Sequence, residues 1–267
     1  MGEKLKTALT IAGSDTCGGA GIQADIKSMS ANGVYAMSVI SAVTVQNTQG
    51  VFGVQDIEPN IIKDLIKVIF DDIKVDAIKI GMVSKIESIK AISSALKQVE
   101  DLPPVVLDPE MVSKSGFKLL SDDAKNTLVK ELFPLATLIT PNLPEAEEIL
   151  GIEIKTLEEM KSAAIELTKL GAKCVLVKGG HLEDDATDLL FDGKEFVYFK
   201  QERIHTKNTH GTGCTLSSAI AANLAKGMNI KDAVREGKRY ITVAIEHSLE
   251  LGKGVGPTNH FYELYNK

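Results

Sequence analysis

The stretch ALTIAGSDTCGGAGIQADIK (residues 8–27) holds an apolar run (8–13), a loop with four glycines (13–21) and a continuation that places Asp25 within a helix. An apolar run that ends in glycines and leads into a helix is one βα unit, and the rest of the chain repeats the pattern. AMSVISAVTV (36–45), DAIKIGM (76–82), PVVLD (104–108), TLITPN (137–142) and KCVLVKGG (173–180) read as further strands. Apolar residues at three- and four-residue spacing predict helices over 61–73, 84–99, 122–133 and 156–171, with Ser84 and Glu87 as a capping box on the second. TDLLFDGKEFVYF (187–199) is a hairpin about Asp-Gly, and TLSSAIAANLAKG (215–227) and 230–252 are helical. With neither a low-complexity linker nor an internal repeat, the expectation is one α/β domain over 1–267 around a mainly parallel sheet.

Composition narrows the function. A net charge of −6 with both signs interspersed offers no basic stripe, and 5% aromatic residues without tryptophan leave little for base stacking, so nucleic acid is not an expected partner. Three cysteines at irregular spacing (Cys17, Cys174, Cys214) form neither a disulfide framework nor a zinc pattern and fit a reducing compartment. No segment approaches 18 apolar residues in a row, and the first residues lack the apolar core of a leader. The expected protein is cytoplasmic, soluble and free of the membrane.

In open parallel sheets ligands sit beyond the carboxyl ends of the strands, and the unusual residues gather there. NTHGTGCTLS (208–217) is neither a dinucleotide fingerprint nor a Walker loop, yet it has the parts of a phosphate cradle. Gly211 and Gly213 let backbone N–H groups face one concavity, and the helix that follows adds its positive end. The dipole stabilises a developing anion there by roughly 0.3–1 kcal/mol, and the same field favours the thiolate of Cys214, which then accepts a proton from an alcohol. A small packing residue is the plainer reading of that cysteine. Asp108, Asn142 and Glu145 suit Mg²⁺ and its waters, although Asn142 and Glu145 also stand where a helix needs caps. Lys178, beside two glycines, suits ATP phosphates or a solvated turn. Gln46 and Met82 suit the wall of a pocket for a flat substrate, or simple packing. For Asp25 a structural salt bridge is the commoner role; His210 is a loop histidine, and Cys17 and Cys174 are packing residues.

Taken together and in order, TIAGSDTCGGAGIQADIK (10–27), VTVQNTQGV, IKIGMV, VLDPEMVSKSG, LITPNLPEAEEIL, VLVKGGHLED, TKNTHGTGCTLSSAIAANLAKG and GKGVGPTNHF resemble the hydroxymethylpyrimidine and phosphomethylpyrimidine kinases of thiamin biosynthesis, within the ribokinase-like superfamily. The resemblance covers nearly the whole chain. It implies a three-layer ribokinase-like α/β fold, a homodimer, and MgATP-dependent phosphorylation of the pyrimidine's hydroxymethyl group and then of the monophosphate to the diphosphate. By position it implies that Gly13, Gln46 and Met82 line the pyrimidine pocket, with Asp25 a further substrate-side residue. Asp108, Asn142, Glu145 and Lys178 serve ATP and Mg²⁺, with Asp108 and Glu145 as metal ligands. Gly211, Thr212, Gly213 and Cys214 form the anion hole and base, and Lys114 belongs to a flap over the phosphates.

The chain departs from the resemblance once. The family's Asp-Pro-Val-Met-Val is DPEMV here, and Glu110 stands where a small apolar residue touches the substrate. A buried carboxylate needs a partner, such as a ring amino group or a lysine. Ser113 occupies the position where some pyridoxal kinases carry a flap cysteine. The rivals are a pyridoxine or pyridoxal kinase with the same chemistry and a non-catalytic vitamer or nucleotide sensor on the same fold. A thiol redox protein is disfavoured by the lack of a Cys-x-x-Cys.

Overall fold

A computed structural model of the chain describes residues 5–111, 120–180 and 186–266. Among these, strands β1 (Thr7–Ser14), β2 (Tyr35–Asn47), β3 (Gly50–Asp56), β4 (Ala77–Ile80), β5 (Val105–Leu107), β6 (Leu138–Ile139), β7 (Cys174–Val177), β8 (Asp188–Phe191) and β9 (Phe196–Phe199) form one sheet in the order β3-β2-β1-β4-β5-β6-β7-β8-β9. The six strands from β2 to β7 in that order pair in parallel. β3 closes one edge and β8–β9 the other through antiparallel pairing. The Asp-Gly hairpin is β8–β9, with Gly193 at φ +88°.

Alternate residues of the central strands serve opposite faces, which is why these strands read as continuous apolar runs. Leu9, Ile11, Ile78, Ile80, Val105 and Leu107 pack with residues of α2 (Pro59–Asp72), α3 (Ile86–Leu96), α4 (Asp122–Leu132) and α6 (Leu157–Lys169). Ala8, Ala77, Val106, Leu138 and Leu176 face α1 (Gly21–Ala31), α7 (Thr212–Ala225) and α8 (Ile230–Glu246). The result is the expected three-layer α/β sandwich. One local expectation fails: Ser84 donates to Asp56 instead of capping, so the Ser84–Glu87 box does not form and α3 begins after Lys85.

The α7 side of the sheet carries a charge pair with no exposure to water. Lys79, on β4, places Nζ 2.9 Å from Oδ2 of Asp25, on α1, and both side chains are fully enclosed. Thr10 Oγ1, from the register position beside Lys79, donates to the same carboxylate at 2.6 Å, and Ser218 of α7 donates to its other oxygen. Gly81 leaves room for the amine, since a Cβ there would lie 2.5 Å from Nζ. Asp25 therefore joins sheet, α1 and α7 and does not face the cavity described below. This corrects its assignment to the substrate side.

A second polar lock holds the loop after β1. Asp15 accepts from the backbone N–H groups of Cys17 (3.0 Å), Gly19 (3.0 Å) and Ala20 (2.8 Å), and its Oδ2 lies 2.8 Å from Nε2 of His210. Burial alone would raise this carboxyl, but the bonds from His210 and Cys17, the His210 charge and the Ala20 amide together lower it to about 2.

Asp25→Ala strands a buried ammonium and should cost about 3–5 kcal/mol in chemical denaturation, whereas the double change Asp25→Leu/Lys79→Met should recover most of that loss. The Asp15 carboxyl is depressed from 3.8 in the unfolded chain, so its contribution is present above pH 3.8 and lost as pH falls through about 2. Thermal melts should show wild type more stable than Asp15→Asn near neutrality, with the gap closing between pH 4 and 2; a gap constant across that window would contradict the pairing.

Candidate active site

The carboxyl ends of the parallel strands open into one cavity of ≈ 1380 Å³. β1 and β2 supply Gly13, Asp15, Thr44 and Gln46, and the turns after β4 and β5 supply Met82, Asp108 and Glu110. Asn142, Glu145, Lys178 and Gly180 enter after β6 and β7, and Gly211, Thr212 and Gly213 open α7. Strand order sets the layout: β1, β2 and β4 furnish one end, and β6 to β8 the other.

The start of α7 sits where it does because of two glycines. Gly211, at φ +77°, adopts a left-handed conformation, and a Cβ on it would overlap the carbonyl oxygen of Gly19. A Cβ on Gly213 would stand 3.1 Å from Asp108 Oδ2 and 3.4 Å from Lys178 Nζ. The two most distinctive loops of the sequence, 13–21 and 208–214, thus pack on each other, and the first residues of α7 line the cavity at the strand ends.

Lys178 Nζ donates to Asp108 Oδ1 at 2.8 Å, and Thr140 donates to the same oxygen at 3.0 Å. Burial pushes the Asp108 carboxyl up, but Lys178 and Lys79 hold it below the usual carboxylate range. Burial pulls the Lys178 ammonium down, and Asp108 and Glu145 more than offset it, so it stays charged. Asn142 and Glu145 form a true capping box on α5 (Leu143–Leu150): Glu145 N donates to Asn142 Oδ1 and Asn142 N donates to Glu145 Oε2, each at 2.8 Å. Both also line the cavity, so the capping role and the site role coincide. Burial raises the Glu145 carboxyl to about 8, with the Asp108 and Glu110 charges adding and Lys178 opposing. Asp108 and Glu145 both present carboxyl oxygens to the cavity, and oxygen donors of this kind fit a hard divalent cation.

Cys214, in the first turn of α7, is fully enclosed, and its Sγ–H donates to Oε1 of Glu110 at 2.8 Å. Burial first, and then the Glu110 carboxylate, push the thiol well above its ordinary value, against the pull of Lys79. This corrects the expectation of a thiolate favoured by the helix N-terminus: desolvation and a neighbouring carboxylate outweigh the dipole. The sulfur is not lost in hydrocarbon. Atoms of Asp108, Glu110 and Cys214 lie within 4.8 Å of one another, and Asp108 and Glu110 face the cavity.

At the other end, Gly13 makes space for Met82, since a Cβ there would lie 2.5 Å from its terminal methyl. Thr44 Oγ1 donates to Gln46 Oε1 at 3.0 Å, fixing the amide at the cavity wall. Lys114 and Ser113 lie outside the described residues. Sequence reasoning missed Asp15, although it stands inside the quoted glycine loop, and Lys79, whose signal was a lysine inside an otherwise apolar strand. His210, read as an idle loop residue, proves to be the partner of Asp15.

Comparison with known proteins agrees with this architecture. Residues 15–259 match the family described as phosphomethylpyrimidine kinase. The chain is 50% identical over 262 residues to the hydroxymethylpyrimidine/phosphomethylpyrimidine kinase of Rhizobium meliloti, covering 97% of this chain and 98% of that one. It is 49% identical over 255 residues to the thiamine biosynthesis bifunctional protein ThiED of Geobacter sulfurreducens, covering 95% of this chain but only 52% of that protein, about half its length. Among solved structures, an ADP complex of Bacillus subtilis pyridoxal kinase superposes with a TM-score of 0.90 at 39% identity, over 98% of this chain and 100% of that one. A three-layer sheet whose paired glycine loops turn a helix N-terminus onto an Asp–Lys pair, matched over almost its whole length, places this chain in the phosphomethylpyrimidine kinase family.

Proposed function

We propose that this chain transfers the γ-phosphoryl group of MgATP to the hydroxymethyl oxygen of 4-amino-5-hydroxymethyl-2-methylpyrimidine, and then phosphorylates the monophosphate to the diphosphate, in thiamin biosynthesis. The observation that carries the reading is that one cavity brings together the N-terminus of α7, the Asp108–Lys178 pair and Glu110, which holds the enclosed Cys214 thiol behind it. The nucleotide lies toward β6 to β8, with Lys178 as its charged contact and Asn142 beside it. The pyrimidine lies toward Gly13, Gln46 and Met82. Glu145 and Asp108 would hold Mg²⁺, which would neutralise charge on the phosphates.

In the transfer, the alcohol oxygen forms a bond to the γ-phosphorus as the bond to the β-phosphate oxygen breaks, and ADP leaves. The N–H groups of Gly211 and Gly213 at the start of α7, with Thr212 between them in the same turn, lie against charge on the transferring group. The alcohol's proton passes to the Cys214–Glu110 pair: Sγ accepts it as the thiol's own proton moves along the existing hydrogen bond to Oε1 of Glu110. Because proton removal is late in a loose phosphoryl transfer, a thiol held by a carboxylate meets the need once the reactants are in line.

Assays with MgATP should show ADP formation with the hydroxymethylpyrimidine and its monophosphate, and Cys214→Ala should lower kcat about 10²-fold, the typical loss for a positioned proton acceptor. Wild-type turnover in the variant would remove Cys214 from the proton path. The second reading, a pyridoxine or pyridoxal kinase, is favoured by the TM-score of 0.90 to a pyridoxal kinase, and faster turnover of those alcohols would select it.

The protein acts as a homodimer in the cytoplasm. Val43 and Val45 of β2 and Phe52 of β3 leave apolar side chains exposed on one edge hairpin, which suits a second copy of the chain. Among the described residues the cysteines are free and no helix is long and apolar enough to cross a membrane. Light scattering should give twice the 28.7 kDa of one chain, falling to one in Val45→Lys/Phe52→Glu; a wild-type monomer would end the dimer reading.

A further inference from the structure

Glu110 is a costly residue in its position. Its carboxyl lies in one cluster with the Asp108 carboxylate and the Cys214 thiol, their polar atoms within 4.8 Å of one another, and the buried ammonium of Lys79 is already bonded to Asp25. Glu110 bonds the Cys214 thiol through Oε1 and lines the cavity, and among the described residues no donor reaches Oε2. Glu110 therefore keeps an unused acceptor oxygen at the cavity wall, on the same carboxyl that holds the Cys214 thiol.

The chemistry of the acceptor substrates makes that position selective. In the aminopyrimidine, the ring carbon next to the one bearing the hydroxymethyl group carries an amino group, a hydrogen-bond donor. Pyridoxal presents an aldehyde at the corresponding carbon, which only accepts, and pyridoxine presents a hydroxyl, which can donate. Of the Cys214–Glu110 pair only Glu110 lines the cavity, so its carboxyl is the group that a substituent beside the reacting hydroxymethyl would meet.

We infer that Glu110 is a specificity residue that accepts a hydrogen bond from the amino group adjacent to the reacting hydroxymethyl of the pyrimidine and rejects an aldehyde at that place. The inference rests on the proposed kinase reading. It deepens that reading by separating two vitamer classes that share a reaction and a fold. A site built to receive a substrate N–H discriminates strongly against an analogue without it, because its own polar group is left unpaired.

The test compares kcat/KM for the aminopyrimidine, its analogue lacking the amino group, pyridoxine and pyridoxal, in wild type and Glu110→Val. Wild type should prefer the aminopyrimidine to both the deamino analogue and pyridoxal by about 10²-fold or more, with pyridoxine between, and Glu110→Val should shrink these ratios at least about tenfold. Any part Glu110 plays in proton transfer lowers all four values together and leaves the ratios untouched. Unchanged ratios in the variant, or a deamino analogue as good as the aminopyrimidine in wild type, would overturn the inference while leaving the kinase reading intact. If the variant does not fold, the wild-type comparison with the deamino analogue decides alone. Absence of turnover of the aminopyrimidine by wild type would instead sink the kinase reading, and this inference with it.

Discussion

The first turn of α7 can meet the sheet only because hydrogen atoms, not side chains, stand at Gly211 and Gly213. Any Cβ at Gly211 would strike the Gly19 carbonyl, and one at Gly213 would crowd Asp108 and Lys178. That close approach brings a helix N-terminus, a buried aspartate and a lysine to the same place, and the remaining polar contacts hold it there. Asp15 ties loop to loop through His210, and Ser218 ties α7 to the Lys79–Asp25 pair.

The same crowding explains the electrostatics. Lys79, Asp25, Asp108, Lys178, Glu110, Glu145 and Cys214 share a poorly solvated region, so each charge sets the state of its neighbours. Asp108 stays ionised because two ammonium groups face it, whereas Glu145 and the Cys214 thiol hold their protons more tightly. Such a cluster suits a reaction that brings both a divalent cation and a polyphosphate into the cavity.

The parallel strands were legible because a strand buried on both faces must be continuously apolar, and the four helices read by period were legible because each buries one stripe. β6 shrinks from the expected six residues to Leu138–Ile139, and Asn142, read as the end of the strand, caps α5 instead. β3 was missed because GVFGVQD is an edge strand with two glycines and partial exposure, and carries no strong periodic signal. Ser84 looked like a cap from local spacing, but Asp56, 28 residues earlier in the chain, takes its hydroxyl.

By itself the sequence determined the α/β layering, the placement of motifs at strand ends and the family, because local period, turn chemistry and a long ordered set of motifs are properties of the chain read in one dimension. Only the tertiary structure decided that Asp25 belongs to Lys79, that Asp15 belongs to His210, and that the Cys214 thiol meets Glu110, 104 residues away in sequence. Proton affinity depends on burial and on charges brought close by folding, and no spacing rule along the chain contains either.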